Sequence, residues 1–310
     1  MAGSSARDDD PQPSPKPSSG LRRISRVLAA SLAVVLLAYV LLGAWAVLGL
    51  RRNPGWVSPA ASSGAAQNVL LIGTDAAPGQ PGRADTLMIV HLPADRSAVY
   101  LISVPRVLQA SLRQGIVQLK TARLVGGVPL TVEAVQQVTG LTMNHVVETD
   151  FDGFAGLSTV VGGVTVTNPQ ASVTDEGLVL PAGEVTLAGP AALGFVRDHA
   201  VTDAVRNQRQ RAMLTAVLAK LPGALANPVN LGRLSTDVLT HVSADDGIVT
   251  DLPDLVSRVL SGRGRIVSIP APVLPEKSSW DRPRVDRAGM AVLAAAIREG
   301  RLATYRPDHP

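Results

Sequence analysis

Twenty-four consecutive residues without a charge, Val27–Leu50, constrain this chain more than any other feature. At about 1.5 Å of rise per residue, a helix of that length crosses a hydrocarbon core roughly 30 Å thick. The apolar core of a secretory signal is shorter, about 7–15 residues, and ends at a small-residue cleavage site. Here Arg51 and Arg52 follow at once. Five basic residues precede the run (Arg7, Lys16, Arg22, Arg23, Arg26) and two follow it, which keeps the N-terminus inside. The sequence therefore predicts a single-pass cell-membrane protein with a cytoplasmic N-terminus and an extracytoplasmic globular domain. Residues 1–26, rich in Ser, Pro and Asp, form a disordered cytoplasmic tail. Residues 27–50 span the membrane, and 51–67 form a linker with Trp56 at the membrane interface.

The remainder of the 310 residues is ample for one domain with a sizeable core. Apolar residues make up 46% of the chain and aromatic ones only 3%, so that core is built from Val, Leu, Ile and Ala. The net charge of +4 is not a property of the domain: of 29 basic and 25 acidic residues, seven and three lie within residues 1–52, so 22 of each remain. A formally neutral domain offers no general basic field and carries no DNA-reading motif, which excludes nucleic acid as a partner. The absence of cysteine excludes disulfides and thiolate-ligated metals.

Short apolar runs at Val69–Ile72, Leu87–Leu92 and Val99–Val104, bounded by Gly, Pro or charge, read as buried strands. Helical patterns at 132–138, 151–161, 190–197 and 203–221 alternate with strands at 145–149 and 164–167. Interleaving of this kind indicates an α/β fold, a single domain whose central, mostly buried β-sheet is flanked by helices. Residues 222–310 read as an α-rich extension packing on the same domain, with one strand at 266–269 and a helix at 286–299.

Three groups of residues bear chemistry. Gly73-Thr74-Asp75 ends one strand and Arg83-Ala84-Asp85-Thr86 opens the next, at the strand mouths where α/β proteins place ligands. Hard oxygen donors there suit Mg²⁺ with substrate phosphates, although Asp75 also suits a turn cap and Asp85 an ion pair with Arg83. Arg106 follows Ser103-Val104-Pro105 at the same sheet edge, where a solvated arginine is the alternative. On the helix from Asp203, Arg206 and Gln210 share the protein-facing stripe with Met213, Leu214, Val217 and Leu221. An inward arginine needs an anionic partner, either Asp203 or a bound phosphate. Arg209 falls on the flank, and Arg211 is predicted to be solvated.

These pieces resemble the LytR-CpsA-Psr family. The resemblance rests on Asn68–Asp75, Gly82–Thr86, Ile102–Arg106, Asp150–Phe154, Gly162-Gly163-Val164, Phe195–Arg197 and Arg206-x-x-Arg209-Gln210, collinear across residues 68–221. It implies a membrane-anchored transferase that moves a glycopolymer from a polyprenyl-pyrophosphate carrier to peptidoglycan. Asp75 and Asp85 would hold Mg²⁺ or Mn²⁺; Arg83, Arg106, Arg197, Arg206 and Gln210 would hold the pyrophosphate; Arg83, Arg106 and Asp85 would act in catalysis. Five positions depart from the family pattern: Ala77 and His199 replace arginines, Val107 an aspartate, Gln118 a lysine and Lys120 an asparagine. The resemblance therefore leaves two outcomes, an active transferase or a homologue that only binds polyprenyl (pyro)phosphate or cell-wall glycan.

Overall fold

The computed structural model describes residues 51–57, 65–75, 82–174, 177–262, 265–274 and 284–306. The predicted tail and membrane span lie outside these residues, and no described helix is long and apolar enough to cross a membrane.

A seven-stranded mixed sheet organises the domain: β1 (Arg51–Asn53), β2 (Gln67–Thr74), β3 (Ala84–Leu92), β4 (Val99–Ser103), β5 (His145–Thr149), β6 (Val242–Asp245) and β7 (Ile266–Pro270). Their spatial order is β1-β6-β5-β2-β3-β4-β7. The pairs β1–β6, β5–β2 and β4–β7 are parallel, and the other three are antiparallel. Side chains alternate across the sheet, so Leu70 and Ile72 of β2 enter one core while Val69 enters another. Both faces are covered, which explains why these strands read as continuous apolar runs. On one face lie α1 (Leu119–Thr139) and α7 (Arg287–Arg298), which contribute Val132, Val135, Leu293 and Ile297. The opposite face is packed by α4 (Asp203–Leu225) and α6 (Ile248–Gly262) through Leu214, Leu218, Ile248 and Leu255. A third cluster joins α2 (Phe151–Val160), α3 (Gly189–Arg197), α4 and an antiparallel pair formed by Val164–Asn168 and Gly183–Leu187. The short α5 (Pro228–Arg233) leads from α4 towards β6.

Helix α1 breaks at Gly126-Gly127, where Gly127 adopts φ 70° and ψ −163°, a conformation that L side chains avoid. Pro129 then begins the second stretch, and Gly140 closes it with φ 66°.

Two boundaries differ from the sequence reading. The stretch after Leu50 is not a plain linker: Arg51–Asn53 pair with Ser243, Ala244 and Asp245, and Trp56 packs against the main core. Nor is 222–310 an extension laid on a finished domain, because it supplies β6 and β7 to the sheet itself.

His91 of β3 is 1% exposed, with its Nδ1 2.8 Å from Asn68 Oδ1. Burial pushes its pKa from 6.5 to about 4, against a smaller opposing pull from Asp95. The unfolded chain then binds the extra proton, so the stability that neutral His91 preserves is complete above pH 6.5. It is lost as pH falls to about 4, by roughly 3 kcal/mol from this group alone. Urea midpoints measured from pH 7 to 4 should fall steeply for the wild type and less so for His91→Gln; equal slopes would refute this assignment.

Candidate functional site

A cavity of about 210 Å³ opens between the strand ends and helices α2, α3 and α4. One water needs about 10–15 Å³ of such space, so the opening is far larger than a packing defect. Its walls are apolar: Leu71, Met88 and Val147 from the sheet, Phe154 and Leu157 from α2, Leu193 and Val196 from α3, and Leu214 and Val217 from α4. Polar groups gather at Asp85, Thr86, Arg106, Asp150, Arg197, His199, Arg206 and Gln210.

Backbone geometry brings the first of these in. Gly73 pairs with Thr86 but Thr74 pairs with Ala84, leaving Asp85 as the extra residue of a β-bulge. Bulges re-aim side chains, and this one carries Asp85 to the cavity. Pro105 ends the run beyond β4, and Arg106 Nη1 donates to Asp85 Oδ1. The carbonyl of Arg106 accepts from Lys120 N at 2.8 Å, which fixes this turn to the start of α1.

Arg197, at the C-terminus of α3, stacks its guanidinium 3.8 Å from the centroid of the Phe151 ring. Its Nε is buried and has no hydrogen-bond acceptor among the described residues. Arg206 is 7% exposed, and its Nη1 donates to the carbonyl of Asp198 at 3.4 Å. Burial, with the neighbouring charge of Arg106, pushes the Arg206 pKa down to about 10 despite the opposing carboxylates of Asp85 and Asp198. One turn on, Gln210 Nε2 donates to Val196 O at 3.3 Å. The mouth thus holds three guanidinium groups around one apolar slot.

Of the residues named from the sequence, Asp85, Arg106, Arg197, Arg206 and Gln210 meet at this cavity. Asp75 and Arg83 are exposed and do not line it; Arg83 N donates to Asp75 Oδ1, and Asp75 N donates to Arg83 O at 3.2 Å. They clasp the ends of the 76–81 segment, which lies outside the described residues together with Ala77. Among the described residues no three His, Asp or Glu side chains cluster to hold a metal. The Asp203 side chain, the expected partner of Arg206, lies outside those described.

Helix α4 departs from the simple wheel because protein surrounds its first turns. Arg209, assigned to a flank, is fully buried and bonds Asp198 (2.7 Å), Asn168 (3.0 Å), Gln170 O (2.8 Å) and Ser172 Oγ (2.9 Å). Arg211, expected in solvent, is half-buried and donates to Ser103 Oγ at 2.9 Å. Asp150 was quoted only as part of a motif, yet it caps α2 through Gly153 N (2.9 Å) and meets His241 Nδ1 at 2.9 Å. A Cβ on Gly153 would stand 2.4 Å from Thr149 Oγ1, so glycine permits this approach at the cavity floor. His199, at a departing position, also lines the cavity, while Gln118 Nε2 donates to the carbonyl of Val107 at 3.3 Å.

The sequence matches the LytR_cpsA_psr family over residues 52–273. The chain belongs to the LytR-CpsA-Psr family. One relative, named probable cell wall biosynthesis protein LcpB, from Corynebacterium glutamicum, is 29% identical across 91% of this chain and 72% of its own length. The polyisoprenyl-teichoic acid–peptidoglycan teichoic acid transferase TagU of Oceanobacillus iheyensis is 31% identical, with 66% of each chain covered. Other transferases of that name are covered over about half their length, for example 52% in Bacillus cereus. The LytR-Csp2A-Psr enzyme from Actinomyces oris superposes with a TM-score of 0.66 at 25% identity, covering 83% of this chain and 97% of that one. The LytR-CpsA-Psr match begins at β1 and ends beyond β7, so it includes the whole sheet and not 68–221 alone.

Proposed function

We propose that this chain transfers a glycopolymer from a polyprenyl-pyrophosphate carrier to peptidoglycan at the outer face of the cell membrane, anchored by residues 27–50. The carrying observation is the buried Nε of Arg197, which lacks an acceptor among the described residues and sits at the rim of an apolar cavity beside Arg106 and Arg206. A buried donor left unmade costs about 1–3 kcal/mol, and a pyrophosphate oxygen is the acceptor that relieves it. The apolar slot suits the first isoprene units of the carrier.

In this reading Arg106, Arg197 and Arg206 neutralise the pyrophosphate and orient it, with Gln210 as a neutral donor. A sugar hydroxyl of peptidoglycan attacks the phosphorus that bears the glycopolymer. The bond from that phosphorus to the bridging oxygen breaks, polyprenyl phosphate leaves with the electron pair, and the hydroxyl proton passes to water. Positioning and charge neutralisation are the main requirements of such a transfer. The donor set fits Mg²⁺, which takes one or two carboxylates and completes its shell with phosphate oxygens and water. Asp85 would be the protein ligand, on its bulge at the cavity, whereas Asp75, outside the lining, is engaged with the Arg83 amide. The ion would supply further neutralisation of the pyrophosphate.

The departures at Val107, Gln118 and His199 favour the second reading, a homologue that binds without turnover. Incubating the full chain in detergent with a short polyprenyl-pyrophosphate-linked sugar separates the two. We expect release of polyprenyl phosphate in Mg²⁺ or Mn²⁺, suppressed by EDTA and by Asp85→Asn. Tight binding with no release in either metal would leave only the binding role; no binding at all would reject both.

A further inference from the structure

We propose that a second groove, on the opposite face of the sheet, binds a polyanionic, hydroxyl-rich glycan strand. The groove has a volume of about 1010 Å³, at the upper end of ligand pockets. Its walls are the antiparallel hairpin Gln109–Leu112/Gly115–Gln118, the last turn of α1, the Val273–Leu274/Arg284–Val285 pair and α7.

Its charge is one-sided. Arg284, Arg287 and Arg298 line it, and among the described residues no Asp or Glu does. All three arginines are exposed, and none forms an ion pair among the described residues. Among the described residues, the acids nearest in sequence are engaged elsewhere: Asp286 caps α7 through Ala288 N and Gly289 N, each 3.1 Å away, and Glu299 pairs with Arg301. Gln109, Ser111 and Gln137 add neutral donors and acceptors of the sort that bind sugar hydroxyls. The domain as a whole is formally neutral, so three guanidinium groups with no acid among the described lining residues are a local concentration of charge. Arginine forks engage carboxylate or phosphate in bidentate fashion.

The hairpin that walls the groove follows directly on Arg106, a residue of the cavity. The hairpin wall leaves the chain at Arg106 and returns at Lys120, whose backbone N bonds the carbonyl of Arg106. Ser111 lies on the Gln109–Leu112 strand, which begins directly after the turn at Arg106. The α7 wall lies wholly beyond residue 273, the limit of the family match. For the origin of its polymer the inference rests on the transfer reading above.

The full chain should be titrated with polygalacturonate, with poly(glycerol phosphate) and with neutral dextran, at low and high salt. We expect both anionic polymers to bind, more weakly in salt, and dextran not to bind; whichever anion binds more tightly names the charged group. The triple substitution Arg284→Gln, Arg287→Gln, Arg298→Gln should weaken binding at least ten-fold and leave cleavage of the short pyrophosphate analogue unchanged. No binding by the wild type, binding unaffected by the substitutions, or equal affinity for duplex DNA would each overturn the inference. Failure of the cleavage assay alone would strike the transfer reading and leave the groove standing.

Discussion

Replacing Arg209 with alanine is expected to destabilise the domain by roughly 3–5 kcal/mol, the cost of stripping one partner from a buried ion pair. Both side chains of the Arg209–Asp198 pair are 0% exposed. Asp198 is held below the usual carboxylate range: burial works against its charge, but Ser172, Arg209 and the Ala200 amide outweigh it. Arg209 also gathers Asn168, Gln170 and Ser172, so its loss releases the chain after the Val164–Asn168 strand from the end of α3. A urea midpoint reports the loss. The double change Arg209→Met with Asp198→Leu should recover part of it, since no lone charge is then left inside. A single-variant effect below about 1 kcal/mol would show that the network is not needed for the fold.

Arg106→Ala is expected to cut release of polyprenyl phosphate by 100-fold or more while leaving the urea midpoint within about 1 kcal/mol. Arg106 and Asp85 sit at the rim with side chains 20% and 17% exposed, so water can reach the carboxylate left behind. What disappears is the cation that holds Asp85 and charges the cavity mouth. Arg106→Lys should restore only a little, because a point charge cannot reproduce a planar fork. Arg113→Ala, on the exposed tip of the neighbouring hairpin, is the control and should behave as wild type. Retention of rate within three-fold in Arg106→Ala would remove this mouth from the chemistry.

Much of this site was legible because its residues sit where periodicity breaks. Asp85 and Arg106 flank strand ends, and Arg206 and Gln210 interrupt an apolar stripe. The convergence of five of them follows from a bulge and a sheet order that local patterns hint at. Arg209 and Arg211 were misassigned for a different reason. A wheel assumes one buried face, but α4 enters beneath α3 and the 164–187 pair, where even its flanks are covered. The anion that accounts for Arg209, Asp198, is eleven residues earlier and on another helix boundary. Strand β6 was missed because Val242–Asp245 is only four residues long and ends in an acid. That acid, Asp245, is buried against Val146 N (2.9 Å) and His145 Nδ1 (3.1 Å), contacts that only the sheet creates.

The insertion of β6 between β1 and β5 has a consequence for synthesis of the protein. Until roughly residue 245 has emerged, β5 presents a bare edge and β1 has no neighbour in the sheet. Closure therefore waits on a pairing across about a hundred residues, the kind of long-range contact that slows folding. A chain ended near residue 221 should emerge as a sticky, half-finished sheet, and proteolysis during translation should find it before it closes.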